Sequence, residues 1–208
     1  EGGDFMDNME YVSVSIVDNY LSMNDWRVKE NANRIFGYGG LKAYIAESVV
    51  ARYMLKKYGE KAEKAHRTGD IHIHDLSHAT LYCCGYNIDK VLYEGINGIS
   101  GVPESKPPKH FSSAVSQILN FVMCIQQEQA GAVGLNCLDT YLAPFVHYDK
   151  LSYRQVKQVI QELIWNLNYP MRPGLETPFT NVTFDAHVRE DLKDQHVVIG
   201  GEVKDLSL

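Results

Sequence analysis

Three stretches of the chain carry apolar residues at intervals of three and four, the spacing that places them on one face of a helix. The first is followed by Gly59, a residue suited to a helix C-cap. The third opens with Ser152 and Gln155, which form a capping box, and Pro170 ends it. The pattern therefore predicts helices over residues 41–58, 111–129 and 152–168.

Two shorter stretches have the pattern of strands. Residues 71–74 alternate apolar and polar, which would place both histidines of the stretch on one face. Residues 178–184, with the sequence PFTNVTF, are rich in the Thr, Val and Phe that favour strands. Helices that alternate with short strands predict an α/β fold.

The chain has 208 residues, of which 45% are hydrophobic and 22% charged, a composition typical of a globular protein with a sizeable core. The net charge of -6 argues against a nucleic-acid partner. No apolar run is long enough to span a membrane, and the first residues lack the basic start of a signal peptide. We expect a cytoplasmic protein, with residues 1–208 forming one domain and 95–108 a surface loop.

Two of the four cysteines, Cys83 and Cys84, are adjacent. They follow an apolar step and precede Gly85, so we expect a strand with the two sulfur atoms on opposite faces. A disulfide between sequence neighbours is strained, and chemistry at a single exposed sulfur is the more natural function. Cys124 and Cys137 lie in apolar surroundings and are predicted to be inert small hydrophobic residues.

His72, His74 and His78 lie within seven residues of one another. Imidazoles on one strand face are a workable start for a transition-metal site, but such a site needs further ligands on later strands. The later histidines, His110 among them, have no such context. We therefore predict no metal, and a metal-dependent hydrolase stays as the alternative. Asp75 is expected to act as a cap or to orient an imidazole.

Seven segments, spread over nearly the whole chain, form a recognisable ordered set. They are ENANRIF (30–36), GLKAYIAE (40–47), AHRTGDIHIHDLSHATLYCCGYN (65–87), PPKHFSS (107–113), QEQAGA (127–132), LDTYLAPF (138–145) and NLNYPMRPGLETPFTNVTFD (166–185). Together and in this order they resemble the class III, oxygen-sensitive ribonucleotide reductases, the anaerobic glycyl-radical enzymes that make deoxyribonucleotides.

The resemblance implies a ten-stranded α/β barrel made of two parallel halves, of which this chain would be the first. In the family, a C-terminal glycyl radical converts a finger-loop cysteine into a thiyl radical that removes the 3′ hydrogen of a ribonucleotide. A second cysteine, on a strand, faces the ribose and assists loss of the 2′ hydroxyl. The YC-G context makes Cys83 the match for that second cysteine, with Cys84 pointing away. His74 would lie beside the substrate.

The resemblance also implies ligands and partners for the whole enzyme. The substrate would be a ribonucleoside triphosphate, and a deoxynucleotide or ATP effector would bind at a homodimer interface near Lys109, His110 and Gln117. Free backbone N–H groups in the first turn of the helix at 111 would suit phosphate, although an ordinary helix start explains these residues equally well. A radical-SAM activating enzyme would generate the radical, and formate or a thiol would be the reductant.

Several family features have no counterpart in this sequence. Glu176 stands where the family often has Gln, and nothing matches the ATP-cone, the finger-loop cysteine, the C-terminal zinc-binding cysteines or the glycyl-radical motif. We therefore expect a fragment that is inactive alone. A non-catalytic nucleotide-binding or dimerisation module is a further alternative, because such a fragment can keep the effector surface.

Overall fold

A computed structural model describes residues 14–23, 36–172 and 176–208. The chain folds as two compact units, one formed by Glu1–Leu81 with Pro170–Thr177 and the other by Tyr82–Tyr169 with Pro178–Leu208. The motif at 30–36 lies, except for its last residue, outside the described residues. No helix within the described ranges has the length and apolar character needed to cross a membrane.

The first unit is helical. Residues 14–21 form a helical segment, and helices α1 (Tyr38–Tyr58) and α2 (Glu60–Thr68) follow. A small core forms where the buried Ile16 and Tyr20 meet Tyr44 of α1. Gly59 separates the two helices with a φ of 88°, a conformation that costs glycine little. The predicted helix and its glycine cap are confirmed.

The strand predicted at 71–74 is wrong, because these residues have no regular structure. Helix α2 ends at Gly69, whose left-handed φ of 82° closes the helix. The chain then folds back, and the Ile73 N–H donates to the Nδ1 atom of His66 at 3.1 Å instead of to a neighbouring strand. A period of two over four residues makes a strand only when a partner supplies the ladder of hydrogen bonds.

The second unit is built on a three-stranded parallel sheet. Its strands are β1 (Cys84–Asn87), β2 (Val133–Asn136) and β3 (Thr180–Val182), in that spatial order. Cys84 pairs with Val133, and Val133 with Thr180, so the three strands begin at one edge of the sheet. The strand predicted within 178–184 is confirmed, and so is the α/β class.

Helices cover one face of this sheet. They are α3 (Asp89–Tyr93), α4 (Phe111–Ile125), which runs into a 3₁₀ turn (Gln126–Glu128), α5 (Leu138–Tyr148) and α6 (Tyr153–Leu167). The core between helices and sheet contains fully buried residues from both layers. These include Ile88, Leu92, Phe111, Ile118, Val122, Val133, Leu135, Phe145 and Leu163. The predicted helices at 111 and 152 are confirmed, as is the capping box of Ser152 with Gln155.

Strand β2 and helix α5 were not predicted from the sequence. Two features make this helix difficult to predict from the sequence. Cys137, at its N-cap, has a left-handed φ of 53°, and Pro144 lies inside it, where proline removes one backbone hydrogen bond. Burial of Leu138, Tyr141 and Phe145 against the core offsets that loss.

An antiparallel hairpin of β4 (His196–Ile199) and β5 (Glu202–Ser207) completes the second unit. Its turn is Gly200–Gly201, and both residues have positive φ, of 65° and 80°. Two consecutive glycines after the apolar residues Val197–Ile199 are a hairpin signal that the sequence does contain. The Gly200 N–H donates to the Pro108 carbonyl, so the turn lies against the segment that leads into α4.

Candidate functional site

The two faces of the three-stranded sheet differ in chemistry. Along β1 and β2, every second side chain packs toward the helices, and these are Cys84, Tyr86, Val133 and Leu135. The alternate positions face the other way and are glycine or asparagine. We call these positions, with the cysteine that precedes β1, the open face; it comprises Cys83, Gly85, Asn87, Gly134, Asn136 and Asn181.

Cys83 lies directly before β1 and is exposed. Its Sγ atom accepts a hydrogen bond from the backbone N–H of Ala132, with an N···S distance of 3.1 Å. The backbone N–H of the preceding residue, Gly131, donates to the Tyr82 carbonyl at 2.6 Å. The segment before β2 therefore holds the Cys83 backbone and points an N–H group at its sulfur.

Gly131 is the residue that leaves room for this thiol. A Cβ atom at position 131 would lie 2.5 Å from the Cys83 Sγ and 2.8 Å from the Tyr82 carbonyl oxygen. The φ of Gly131 is not positive, so the backbone does not require glycine there. Glycine is needed at position 131 for space, because any larger residue would have to displace the Cys83 sulfur. Sequence reasoning recognised the QEQAGA segment but gave this glycine no role.

The neighbouring thiol, Cys84, is in different surroundings. It is half-buried on the helix-covered side, close to the Tyr86 hydroxyl. Burial, followed by the interaction with Cys84, raises the pKa of Tyr86, although a hydrogen bond from Gln129 opposes the shift. The Tyr86 ring also contacts Phe121 of α4 edge to face, with centroids 5.3 Å apart. Cys84 therefore lies on the same strand face as Tyr86, the face that the helices cover.

The buried Cys137 agrees with the sequence interpretation of an inert residue. Burial, together with a hydrogen bond to Asp185, raises the pKa of its thiol, although Arg189 works in the opposite direction. A raised pKa keeps the thiol protonated and unreactive. Its own backbone N–H donates to the Thr183 hydroxyl at 2.8 Å, which links the start of α5 to the end of β3.

The histidines of the first unit do not form a metal site. The rings of His66 and His72 lie 5.6 Å apart and those of His72 and His74 6.3 Å apart, centroid to centroid. Across the residues that the structure describes, no three His, Cys, Asp or Glu side chains come together as metal ligands. The alternative of a metal-dependent hydrolase therefore has no ligand set in these ranges.

His74 is paired with its sequence neighbour. Its Nδ1 atom lies 2.7 Å from the Asp75 carboxylate, and the ring is more than half exposed. This contact matches the expected role of Asp75 in orienting an imidazole. His74 belongs to the first unit and Cys83 to the second. A position of His74 beside the substrate stays a prediction.

The N-terminus of α4 already has a negative charge. The Asp149 carboxylate accepts hydrogen bonds from the Phe111 N–H at 2.7 Å and from His110 Nδ1 at 2.9 Å. Burial opposes ionisation of Asp149, but these two donors outweigh it and lower its pKa. The expectation that the first-turn N–H groups are free for phosphate is wrong for Phe111, because a carboxylate of this chain occupies that N–H.

The other two residues predicted near an effector have structural contacts. Gln117 is buried, and its amide donates to the Val91 carbonyl at 3.2 Å, which joins α4 to α3. The stem of Lys109 packs across Gly200, where an added Cβ would lie 2.8 Å from the lysine Cγ. Lys109 itself is exposed.

Glu176 lies beside a buried arginine. The guanidinium of Arg172 is buried, and its Nη1 atom lies 4.0 Å from the Glu176 carboxylate. The two backbones also pair, through an Arg172 N–H to Glu176 carbonyl bond of 3.0 Å. A carboxylate at 176 balances the buried cation, which a glutamine amide would not do.

Comparisons with known proteins agree with the motifs. A family model described as anaerobic ribonucleoside-triphosphate reductase matches residues 30–203. The Escherichia coli (strain K12) enzyme of that name is 26% identical over 146 residues, which cover 67% of this chain and 20% of the relative. The chain therefore spans about a fifth of the length of that protein.

Solved structures show the same fold. The anaerobic ribonucleotide reductase from Thermotoga maritima with glycerol in the active site superimposes with a TM-score of 0.66 at 20% identity, over 91% of this chain and 34% of that one. The structure of that enzyme in complex with dATP and CTP gives a TM-score of 0.62 at 20% identity, over 86% and 34% of the two chains. Because the family model matches most of its residues, this chain belongs to the anaerobic ribonucleoside-triphosphate reductase family.

Proposed function

We propose that the complete protein to which this chain belongs reduces ribonucleoside triphosphates to deoxyribonucleoside triphosphates by radical chemistry, and that this chain supplies Cys83 to the reaction. The observation that carries the proposal is the contrast between the two adjacent thiols. Cys83 is exposed beside Gly131, whereas Cys84 is half-buried and interacts with Tyr86 on the face toward the helices.

The proposed role of Cys83 is to face the ribose, to assist loss of the 2′ hydroxyl and to take part in reduction at that carbon. A thiol suits this role because its S–H bond exchanges hydrogen atoms with carbon radicals. Starting the reaction would require a glycyl radical, made by a radical-SAM activating enzyme, in a region that this sequence does not match. The hydrogen bond from the Ala132 N–H fixes the direction of the Cys83 sulfur.

In the same proposal, the three parallel strands belong to the first half of a ten-stranded barrel in a homodimeric enzyme. The Thermotoga maritima enzyme has been solved in complex with dATP and CTP, which supports a nucleotide substrate and a deoxynucleotide effector here. Lys109 and His110 are the proposed effector contacts, since both side chains are exposed. Gln117, which is buried and bonded to Val91, would act only by holding α4 in place.

The test compares Cys83→Ser with Cys84→Ser in the complete protein. We expect Cys83→Ser to abolish deoxynucleotide formation, while the glycyl radical remains detectable by electron paramagnetic resonance. Cys84→Ser is the matched control and should keep most of the activity, because its sulfur faces the helices. Full product formation by the Cys83→Ser protein would disprove the assignment.

A further inference from the structure

After helix α2 ends at Gly69, the chain returns along the last turn of that helix. The Ile71 N–H donates to the Ala65 carbonyl at 3.2 Å. Two residues later, the Ile73 N–H donates to the Nδ1 atom of His66 at 3.1 Å, in a partly buried position. A carbonyl oxygen accepts at any ordinary pH, whereas an imidazole nitrogen gains a proton between about pH 8 and pH 5. One of these two bonds therefore depends on pH.

The bond from Ile73 requires one protonation state of His66. A ring nitrogen accepts a hydrogen bond only while its lone pair is free, so the ring must be neutral with its proton on Nε2. In the imidazolium form both ring nitrogens are donors, and the Nδ1 proton would then face the Ile73 N–H. Protonation of His66 would therefore replace an attractive contact with a repulsive one.

Other imidazoles of the returning segment lie beside His66. The His72 ring is 5.6 Å from the His66 ring, centroid to centroid, and the His74 ring is 6.3 Å from that of His72. Positive charge on a neighbouring ring would repel an imidazolium at His66 and so would not hold the segment in place. The neutral form is the one that this arrangement suits.

The carboxylates near His66 in the sequence have partners of their own. Glu63 accepts from the Arg67 Nε atom at 2.9 Å, and Asp70 accepts from the Thr68 hydroxyl at 2.6 Å. Within the described residues, no ion pair joins either carboxylate to His66. The Ile73 N–H is therefore the group to which His66 is directed.

The segment held by this bond carries the paired side chains of His74 and Asp75. Asp75 has a left-handed φ of 53°, which is uncommon for a residue with a side chain. Such a conformation persists where surrounding contacts determine it. The His78 N–H donates to the Asp75 carbonyl at 3.0 Å and closes a turn, and Ile73 is fixed two residues before that turn. The bond to His66 is thus one of the contacts that fix the pair.

We propose that His66 is a positioning residue, whose neutral imidazole holds residues 71–78 against α2 and fixes the His74–Asp75 pair, and whose protonation releases this segment. The effect on catalysis rests on the proposed function, in which His74 lies beside the substrate. The hydrogen bond itself belongs to the folded first unit and does not depend on that function. His66 acts through His74 and not on the substrate.

The test measures amide hydrogen exchange in the complete protein, because exchange at the Ile73 N–H reports directly on this bond. Wild type, His66→Ala and His66→Asn are compared with one another at about pH 8 and at about pH 5, the limits between which histidine titrates. Asn is the conservative variant, since its Oδ1 atom takes the place of Nδ1 and accepts a hydrogen bond without titrating. Mass spectrometry with peptide fragmentation resolves the Ile73 amide.

At about pH 8, the Ile73 amide should exchange about three- to tenfold faster in His66→Ala than in wild type, the value of one hydrogen bond. His66→Asn should exchange as wild type does. At about pH 5, wild type should exchange as fast as His66→Ala, whereas His66→Asn should keep its protection. Equal rates in wild type and His66→Ala at the higher pH, no protection by Asn, or an acid loss that the Asn variant shares would each overturn the inference.

Two controls separate this bond from a general response to acid. The Asp70 N–H donates to the Ala65 carbonyl at 2.9 Å in the same turn, so its exchange should differ much less among the three proteins. His147→Asn makes the same substitution at an exposed histidine of α5, whose ring contacts Tyr148, and should leave exchange at Ile73 unchanged. Differences at Asp70 as large as those at Ile73 would show that the helix end opens as a whole, which would overturn the inference.

The effect on catalysis is measured as the pH profile of kcat in the activated complete enzyme. Near neutral pH, His66→Ala should lose activity and His66→Asn should restore it. On the acidic side, His66→Asn should keep a larger share of its activity than wild type does, which a structural role without titration would not produce. Full activity of His66→Ala, or the same acidic limb in wild type and His66→Asn, would overturn the positioning role.

The two proposals fail in distinguishable ways. If the activated wild-type protein makes deoxynucleotides while the Ile73 amide exchanges equally in wild type and His66→Ala, the function stands and the role of His66 is wrong. If exchange follows the expected pattern and no deoxynucleotide forms, the bond stands and the proposed reaction is wrong.

Discussion

The two faces of the three-stranded sheet carry different kinds of side chain. The face toward the helices carries Val133 and Leu135, both fully buried, and supplies the centre of the larger core. The open face carries no apolar side chain at the alternate positions of β1 and β2. Residues one position apart in sequence thus serve stability on one side and, under the proposed function, present the Cys83 thiol on the other.

The adjacent cysteines follow the same division. Cys84 contacts Tyr86 on the covered side, whereas Cys83 is exposed next to Gly131. A shift of the strand by one residue would exchange the two sulfurs, because successive side chains point to opposite faces. The register with β2, in which Cys84 pairs with Val133, therefore decides which thiol is available for chemistry.

The largest expected effect contrasts Leu135→Ala with Asn136→Ala. Leu135 is completely buried, so its truncation should lower the free energy of unfolding by about 2–5 kcal/mol. Asn136→Ala, one residue further along on the open face, should change it by less than about 0.5 kcal/mol. Urea unfolding measures both. Similar losses for the two variants would show that the open face is also a packing face.

A smaller effect is expected for Gly131→Ala. The added methyl group would lie 2.5 Å from the Cys83 sulfur, so the thiol must move away from the Ala132 N–H. Overpacking of this kind costs about 1–3 kcal/mol. We expect a changed rate of Cys83 alkylation and a loss of enzyme activity, with Gly37→Ala as the control. An unchanged alkylation rate would remove Gly131 from its positioning role.

The smallest effect concerns Asp149, which joins two of the covering helices. The folded state lowers the pKa of this carboxyl. Its contribution to the free energy of unfolding is therefore fully present at a pH above the ordinary pKa of an unfolded Asp, and it is lost as the pH falls through the lower pKa of the folded state. Asp149→Asn should cost about 1 kcal/mol near neutral pH, the value of a helix cap. In urea unfolding, that difference from wild type should shrink on acidification. A difference that is constant with pH would contradict the proposed role of its charge.

Elements stabilised by their own residues were the predictable ones. The capping box of Ser152 and Gln155 and the spaced apolar residues of α4 and α6 predict helices because the relevant contacts are one turn apart. Elements that depend on distant partners were not predictable. Residues 71–74 alternate like a strand but have no neighbour to pair with, while β2 contains only four residues and becomes a strand by lying between β1 and β3.

In the candidate site, too, some features follow from the sequence and others only from the tertiary structure. The sequence alone determined the family, through ordered motifs, and singled out Cys83 and Cys84. Only the tertiary structure decided that Gly131 faces the Cys83 sulfur, that Asn136 reaches Asn87, and that Asp149 occupies the start of α4. These contacts join residues that lie between 38 and 49 positions apart in the chain. These separations follow no period that a local sequence pattern could reveal. They are long because parallel strands are joined by connections that include the covering helices.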